Sequence, residues 1–310
     1  MIDCGLSRRI QIIPAFIPWS RKLCARPVAD PLFFCYLVKT MIDYHLHGNF
    51  CGHATGELAE YVEAALAKGF AEIGFSDHLP KVVDPDPYHA MLEDDLPRYV
   101  DTVIGLQNEY RGRITIKLGI EADYFAGHER ETKRLIDAYP FDYVLGSIHF
   151  LGDWHFTSKQ GLSRYGSEDP VEAFPRYFEL LKRMIGTGLF DIVAHADALR
   201  RGAFQPARTL EREHREVAAL LRENGMAIEL NTAGIRRGSG SVYPERSFLA
   251  ACVAENVPIT LGSDAHAPAE VGKDYAEAYR LIADLCITEI ATYEKRRLVK
   301  RPLDPRLLMK

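Results

Sequence analysis

The chain has 310 residues, 47% of them hydrophobic and 26% charged, with 23 Gly and 17 Pro. This composition excludes a disordered, collagen-like or disulfide-scaffold chain, and the length suits two small domains or one barrel-sized domain. A net charge of −5 disfavours a nucleic-acid partner, and the lack of any apolar run of about 18 residues disfavours a membrane span.

Residues 1–40 differ from the rest. They carry six Lys/Arg against two acids, and three of the six Cys: Cys4, Cys24 and Cys35. Arg8-Arg9 followed by IQIIPAFIPW faintly resembles a secretory leader. However, Pro14 and Pro18 interrupt the apolar stretch and no small-residue cleavage site follows. The expectation is an N-terminal extension outside the fold, with the working domain running over 41–310. Sparse Cys with no CxxC pair fit reduced thiols and a cytoplasmic location.

From Met41 onward, short β-prone runs alternate with helix-like segments. The runs are 42–45, 72–78, 114–121, 143–149, 190–195, 226–231 and 258–264. They are rich in Ile, Val and Leu and mostly continuous, as strands buried on both faces read. Between the first two, Leu58, Tyr61, Val62, Ala65 and Leu66 share a helical face and Gly69 ends it. Thr209 is placed to cap a helix over 210–224 that stops at Gly225. Pro268 is placed to start a helix containing Val271, Tyr275 and Tyr279. Seven strand–helix units predict an α/β fold, a closed or nearly closed parallel barrel with right-handed crossovers.

Each run ends in a polar residue: His45, His78, Glu121, His149, His195, Asn231 and Asp264. In a parallel barrel all strand C-termini open on one face, so these side chains converge. His45 and His47 are two apart and point to one side of an extended segment. His53 follows a turn-like stretch with Gly52, and Asp264 and His266 repeat the two-residue spacing. This is too many ligands for one zinc. Imidazole with carboxylate suits two or three divalent ions of Zn, Fe or Mn rather than Mg or Ca. Cys51 is expected to be a small buried residue.

HLHGNFCGH (45–53), FSDH (75–78), GIE (119–121), GSIH (146–149), AHAD (194–197) and GSDAH (262–266) occur in that order. On these pieces the chain resembles the polymerase and histidinol phosphatase (PHP) superfamily. GSIHFLGDW, LFDIVAHAD and NTAGIRR with a downstream VYP resemble its histidinol-phosphatase branch. The resemblance implies a distorted seven-stranded barrel and three ion positions. His45, His47, Glu121 and Asp264 would hold one ion, and Glu121, His149 and His195 a second. His53, His78 and His266 would hold a third.

The implied reaction is phosphomonoester hydrolysis of a small phosphorylated substrate, histidinol phosphate foremost, by a metal-activated hydroxide. Nucleotides or nucleic-acid ends are the alternative substrates, and a non-catalytic metal-holding domain is the alternative class. Asp77 and Asp197 are candidates to protonate the leaving group, or else to orient a His. Arg236 is the leading phosphate-holding candidate because its planar fork suits an anion. Arg237 ranks below it, and Arg176, Arg200 and Asn231 are further candidates. His89, His128, His155 and His214 match no ligand pattern. The long connections 79–113 and 150–189 are expected to wall the mouth, with Glu93, Asp94 and Asp95 either attracting a cationic substrate or opening a helix.

Overall fold

The computed structural model describes residues 41–201 and 204–309. The expected extension over residues 1–40 lies outside the described residues. Seven parallel strands form one sheet in sequential order: β1 (Ile42–Leu46), β2 (Glu72–Phe75), β3 (Thr115–Asp123), β4 (Tyr143–Ser147), then Ile192–Val193, Ala227–Asn231 and Ile259–Gly262. The sheet closes on itself. His47 N–H donates to the Ala265 carbonyl at 2.9 Å, Ala265 N–H donates to the His45 carbonyl at 3.2 Å, and Leu46 bridges Ala265 in parallel. The predicted barrel is therefore present, and its seam is made by residues interleaved with predicted ligands.

Helices wrap the outside. Leu58–Lys68 (α1) buries Leu58, Tyr61, Val62 and Ala65 and ends at Gly69, as its period predicts. Leu96–Glu109 (α2) and Glu129–Asp137 (α3) flank β3. The connection after β4 holds a small hairpin, β5 (Phe150–Leu151) and β6 (Trp154–His155), followed by α4 (Pro170–Gly186). The fifth barrel strand, β7 (Ile192–Val193), is shorter than the predicted run because His195 turns into the left-handed region, with φ +26°. Next come α5 (Glu211–Asn224), β8 (Ala227–Asn231), α6 (Ala233–Arg236), α7 (Arg246–Ala254) and β9 (Ile259–Gly262). Leu210 rather than Thr209 occupies the N-cap of α5, and no side chain caps it there. Pro268 opens only a single turn. The helix proper, α8 (Tyr275–Asp284), starts after Asp274, whose φ of +63° separates the two.

A C-terminal hairpin of β10 (Glu289–Glu294) and β11 (Arg297–Pro302) was not legible in the sequence. Its loop residues Lys295 and Arg296 both have positive φ without the Asn or Gly such loops favour. Tertiary contacts hold them instead. The Arg296 N–H donates to the Asp142 carbonyl at 2.8 Å, and its guanidinium donates to Leu189 O and Asp191. The hairpin docks on the barrel interior, where Tyr293 N–H donates to the Tyr44 hydroxyl at 3.1 Å and Tyr44 stacks on Tyr143. Among the described residues no helix is long and apolar enough to cross a membrane.

Candidate metal centre

The C-terminal ends of the barrel strands surround a cavity of about 370 Å³. His53, His78, Glu121, His149, His195, Asp264 and His266 line it. His45 and His47 are fully buried against Glu121. All nine predicted ligands thus meet in one place, although they come from positions 45 to 266.

Glu121 is the hub. Its Oε2 lies 3.1 Å from His45 Nε2, 3.2 Å from His47 Nε2 and 3.2 Å from His78 Nδ1. Its Oε1 lies 3.0 Å from His195 Nε2 and 3.6 Å from His149 Nε2. Burial opposes ionisation, but the surrounding imidazoles, His78 foremost, hold the Glu121 carboxyl well below the usual range. Asp264 Oδ1 stands on the other side, 3.6 Å from His47 Nε2 and 3.4 Å from His266 Nδ1.

Partners behind the rings fix which nitrogen faces the cavity. His45 Nδ1 bonds Glu229 Oε1 at 2.7 Å, and His149 Nδ1 bonds Asp123 Oδ1 at 2.8 Å. His53 Nδ1 bonds the Cys51 carbonyl at 2.9 Å. Carboxylate and carbonyl oxygens only accept, so each of these Nδ1 atoms carries a proton, and in the neutral ring Nε2 is the atom left free to ligate. Those Nε2 atoms face other candidate ligand atoms: His45 Nε2 faces Glu121, His149 Nε2 lies 3.3 Å from His195 Nε2, and His53 Nε2 lies 2.9 Å from His266 Nε2. Both ring nitrogens of His47, and Nδ1 of His195, are buried with no hydrogen-bond partner. Converging candidate ligand atoms and orphaned buried imidazole nitrogens fit divalent cations, which satisfy such groups in a way that neutral hydrogen bonding cannot.

The groupings agree with the implied partition in part. His45, His47 and Glu121 bring ligand atoms together, as do His45, His195 and Asp264. His78 joins both His47 with His266 and Glu121 with His149, so it stands between two of the implied positions. Cys51 Sγ–H donates to the Gly48 carbonyl at 3.3 Å, and burial pushes its thiol up. It is the small buried residue expected, although its sulfur also lies within reach of His53 and His266.

Several predicted residues are placed elsewhere. Asp77 does not line the cavity. It accepts N–H bonds from Gly48 at 3.0 Å and Cys51 at 3.2 Å, and so shapes the turn that carries His47 and His53. Asp197 is buried against Arg200 Nε at 2.7 Å and accepts the Glu245 N–H at 2.9 Å. Neither carboxylate is positioned to protonate a leaving group, and Arg200 is spent on Asp197. Arg176 is exposed on α4 and does not line the cavity. Asn231 caps the strand end, accepting from Ala233 N–H at 2.8 Å and donating to Glu229 at 3.0 Å.

The ranking of the two arginines is reversed. Arg236 turns away to Asp274 at 3.0 Å and the Ser263 carbonyl at 2.6 Å. Arg237 lines the cavity, 3.8 Å from Asp264 Oδ1. Consecutive residues at a helix end diverge by about 100°, so only one could face the cavity. Both predicted wall segments do contribute, through Lys81, Tyr88 and His89 from the first and His155 and Lys159 from the second. His89 and His155, which match no ligand pattern, therefore line the mouth as part of the expected wall segments. Glu93 and Asp95 instead open α2, paired with Arg134 and Arg98. Asp123 and Glu229 were missed. Period-two alternation from Glu121 and Asn231 points both to the same face and could have found them.

A PHP domain model matches residues 43–233. The chain is 35% identical over 246 residues to a probable histidinol-phosphatase of Deinococcus radiodurans, covering 79% of this chain and 94% of that protein. It is 32% identical to the histidinol-phosphatase of Bacillus subtilis, covering 75% of this chain and 96% of that protein. The crystal structure of the Lactococcus lactis histidinol phosphate phosphatase with zinc, L-histidinol and phosphate superposes with a TM-score of 0.74 at 24% identity, covering 84% of this chain and all of that one.

Proposed function

We propose the following reaction for this chain, which belongs to the PHP domain family: it is a phosphoric monoester hydrolase that converts L-histidinol phosphate and water to L-histidinol and phosphate, a step of histidine biosynthesis. The observation that carries the chemistry is the convergence of nine candidate ligands around one cavity. The near full-length identity to histidinol-phosphatases carries the substrate.

We assign two or three divalent ions of the Zn, Fe or Mn type to His45, His47, His53, His78, Glu121, His149, His195, Asp264 and His266. When bound, such ions lower the pKa of a water and neutralise charge on the phosphoryl oxygens. The remaining roles fall to the chain itself. Glu229 and Asp123 hold the His45 and His149 rings with Nε2 inward. Arg237 offers guanidinium N–H groups to a phosphoryl oxygen from the cavity wall. Lys81, Tyr88, His89, His155 and Lys159 surround the space left for the alcohol half.

The test is phosphate release by the purified chain, stripped of metal and then loaded with Mn, Zn or Fe. Substrates are L-histidinol phosphate and, in parallel, nucleoside mono- and bisphosphates. Preference for L-histidinol phosphate, lost in His149→Ala, is the expected result. Preference for nucleotides would overturn the substrate, and no turnover of any ester by the loaded chain would overturn the reaction.

A further inference from the structure

Glu229 is fully buried on β8 and faces the barrel interior. Its two carboxylate oxygens serve different ligands. Oε1 accepts from His45 Nδ1 at 2.7 Å, and Oε2 accepts the backbone N–H of His195 at 2.8 Å. Asn231 steadies Oε2 from a third direction at 3.0 Å. His195 needs that support, because its φ of +26° lies where side chains other than glycine are strained. The neighbouring strand has made room for the carboxylate, since a Cβ on Gly262 would lie 1.9 Å from Glu229 Oε1.

His45 groups with His47 and Glu121, and His195 meets His149 and Glu121 Oε1, while His45 and His195 also come together with Asp264 where the two sets adjoin. We propose that Glu229 is a positioning residue that links the two halves of the metal centre, so that one buried carboxylate sets the ring of His45 and the backbone of His195 together. Metal affinity in both halves then depends on it, and an ion bound in one half favours the other by holding Glu229 in place. The proposal rests on the metal-centre reading above.

Glu229→Gln is close to isosteric but cannot keep both bonds. One oxygen becomes an NH2 donor, which then faces either the Nδ1–H of His45 or the N–H of His195. Metal-free protein, wild type and variant, is titrated with Zn²⁺ or Mn²⁺ against a competing chelator, with circular dichroism and melting as folding controls. In Glu229→Gln the first two equivalents are expected to weaken together, by about 10- to 100-fold. In His149→Ala, which alters one half, only one weakens. Turnover of L-histidinol phosphate should lose kcat while KM stays within about threefold. A variant that merely melts earlier, with affinities and kcat unchanged, overturns the proposal, as does the weakening of one equivalent alone. Asn231→Ala removes only the third hydrogen bond and should weaken the same two equivalents by a smaller factor. If Glu229→Gln does not fold, that variant decides. A wild type that binds no divalent ion overturns the metal-centre reading as well, whereas an active wild type with an indifferent Glu229→Gln overturns this inference alone.

Discussion

The carbonyl oxygen of Pro87 lies 2.0 Å from where a Cβ on Gly52 would stand. The turn that delivers His53 to the centre and the loop that carries Tyr88 and His89 to the mouth are therefore packed backbone to backbone. Gly52 also has φ +77°. Gly52→Ala should cost about 1–3 kcal/mol, through left-handed strain and the displaced Pro87 carbonyl. Because the mouth loop must shift, KM should rise by more than kcat falls. Thermal melting and steady-state kinetics on the same preparation check both.

Metal loading should stabilise the chain, since ions bind the folded ligand set and not the unfolded one. At 100 times the dissociation constant the gain is about 2.7 kcal/mol, which raises Tm by about 5 °C in a domain of this size. Glu121→Gln removes the carboxylate that faces five imidazoles. It should abolish most of that rise and all measurable turnover. Melting curves with and without added Mn²⁺ read the first effect directly.

Arg236 and Arg237 are adjacent in sequence, yet their variants should behave oppositely. Arg237→Ala removes the cavity cation nearest Asp264 and should lower kcat/KM by about 10- to 100-fold with little change in Tm. Arg236→Ala strips partners from Asp274 and the Ser263 carbonyl. It should lower stability by about 1–3 kcal/mol and leave kcat/KM near wild type. Measuring both quantities for both variants tests the reversal.

His214 lies parallel to Phe248 with ring centroids 4.5 Å apart and does not line the cavity. Burial pulls its pKa down to about 4, below the ordinary value of 6.5. The unfolded chain therefore binds a proton at this residue that the folded chain refuses between those values. The contribution is fully present above pH 6.5 and is lost as pH falls toward 4. His214→Gln, which does not titrate, should lose less Tm than wild type between pH 6.5 and 4. An identical loss in both would contradict it.

The barrel and its ligands were legible because both follow from local pattern. Continuous apolar runs are strands covered on two faces, and parallel strands must present their C-terminal residues on one side. Naming His45, Glu121 or Asp264 needed only the last residue of a run. Orientation across the barrel was not local. Whether Arg236 or Arg237 faces the cavity depends on where α6 sits against Asp274 and Ser263. That Asp77 and Asp197 are structural depends on the backbone N–H groups of Gly48, Cys51 and Glu245.

The sequence by itself determined the order of the seven barrel strands, the face on which chemistry gathers and the candidate ligands, because strand period and residue chemistry are properties of neighbours along the chain. Tertiary structure alone decided the rest. Glu229 reaches across strands to His45 and His195, and His89 and His155, more than sixty residues apart in sequence, meet at the mouth. The Lys295–Arg296 turn is held by Asp142, Leu189 and Asp191 rather than by its own residues. Contacts of this kind are set by how the closed barrel brings distant side chains within a few ångströms, which no local spacing encodes.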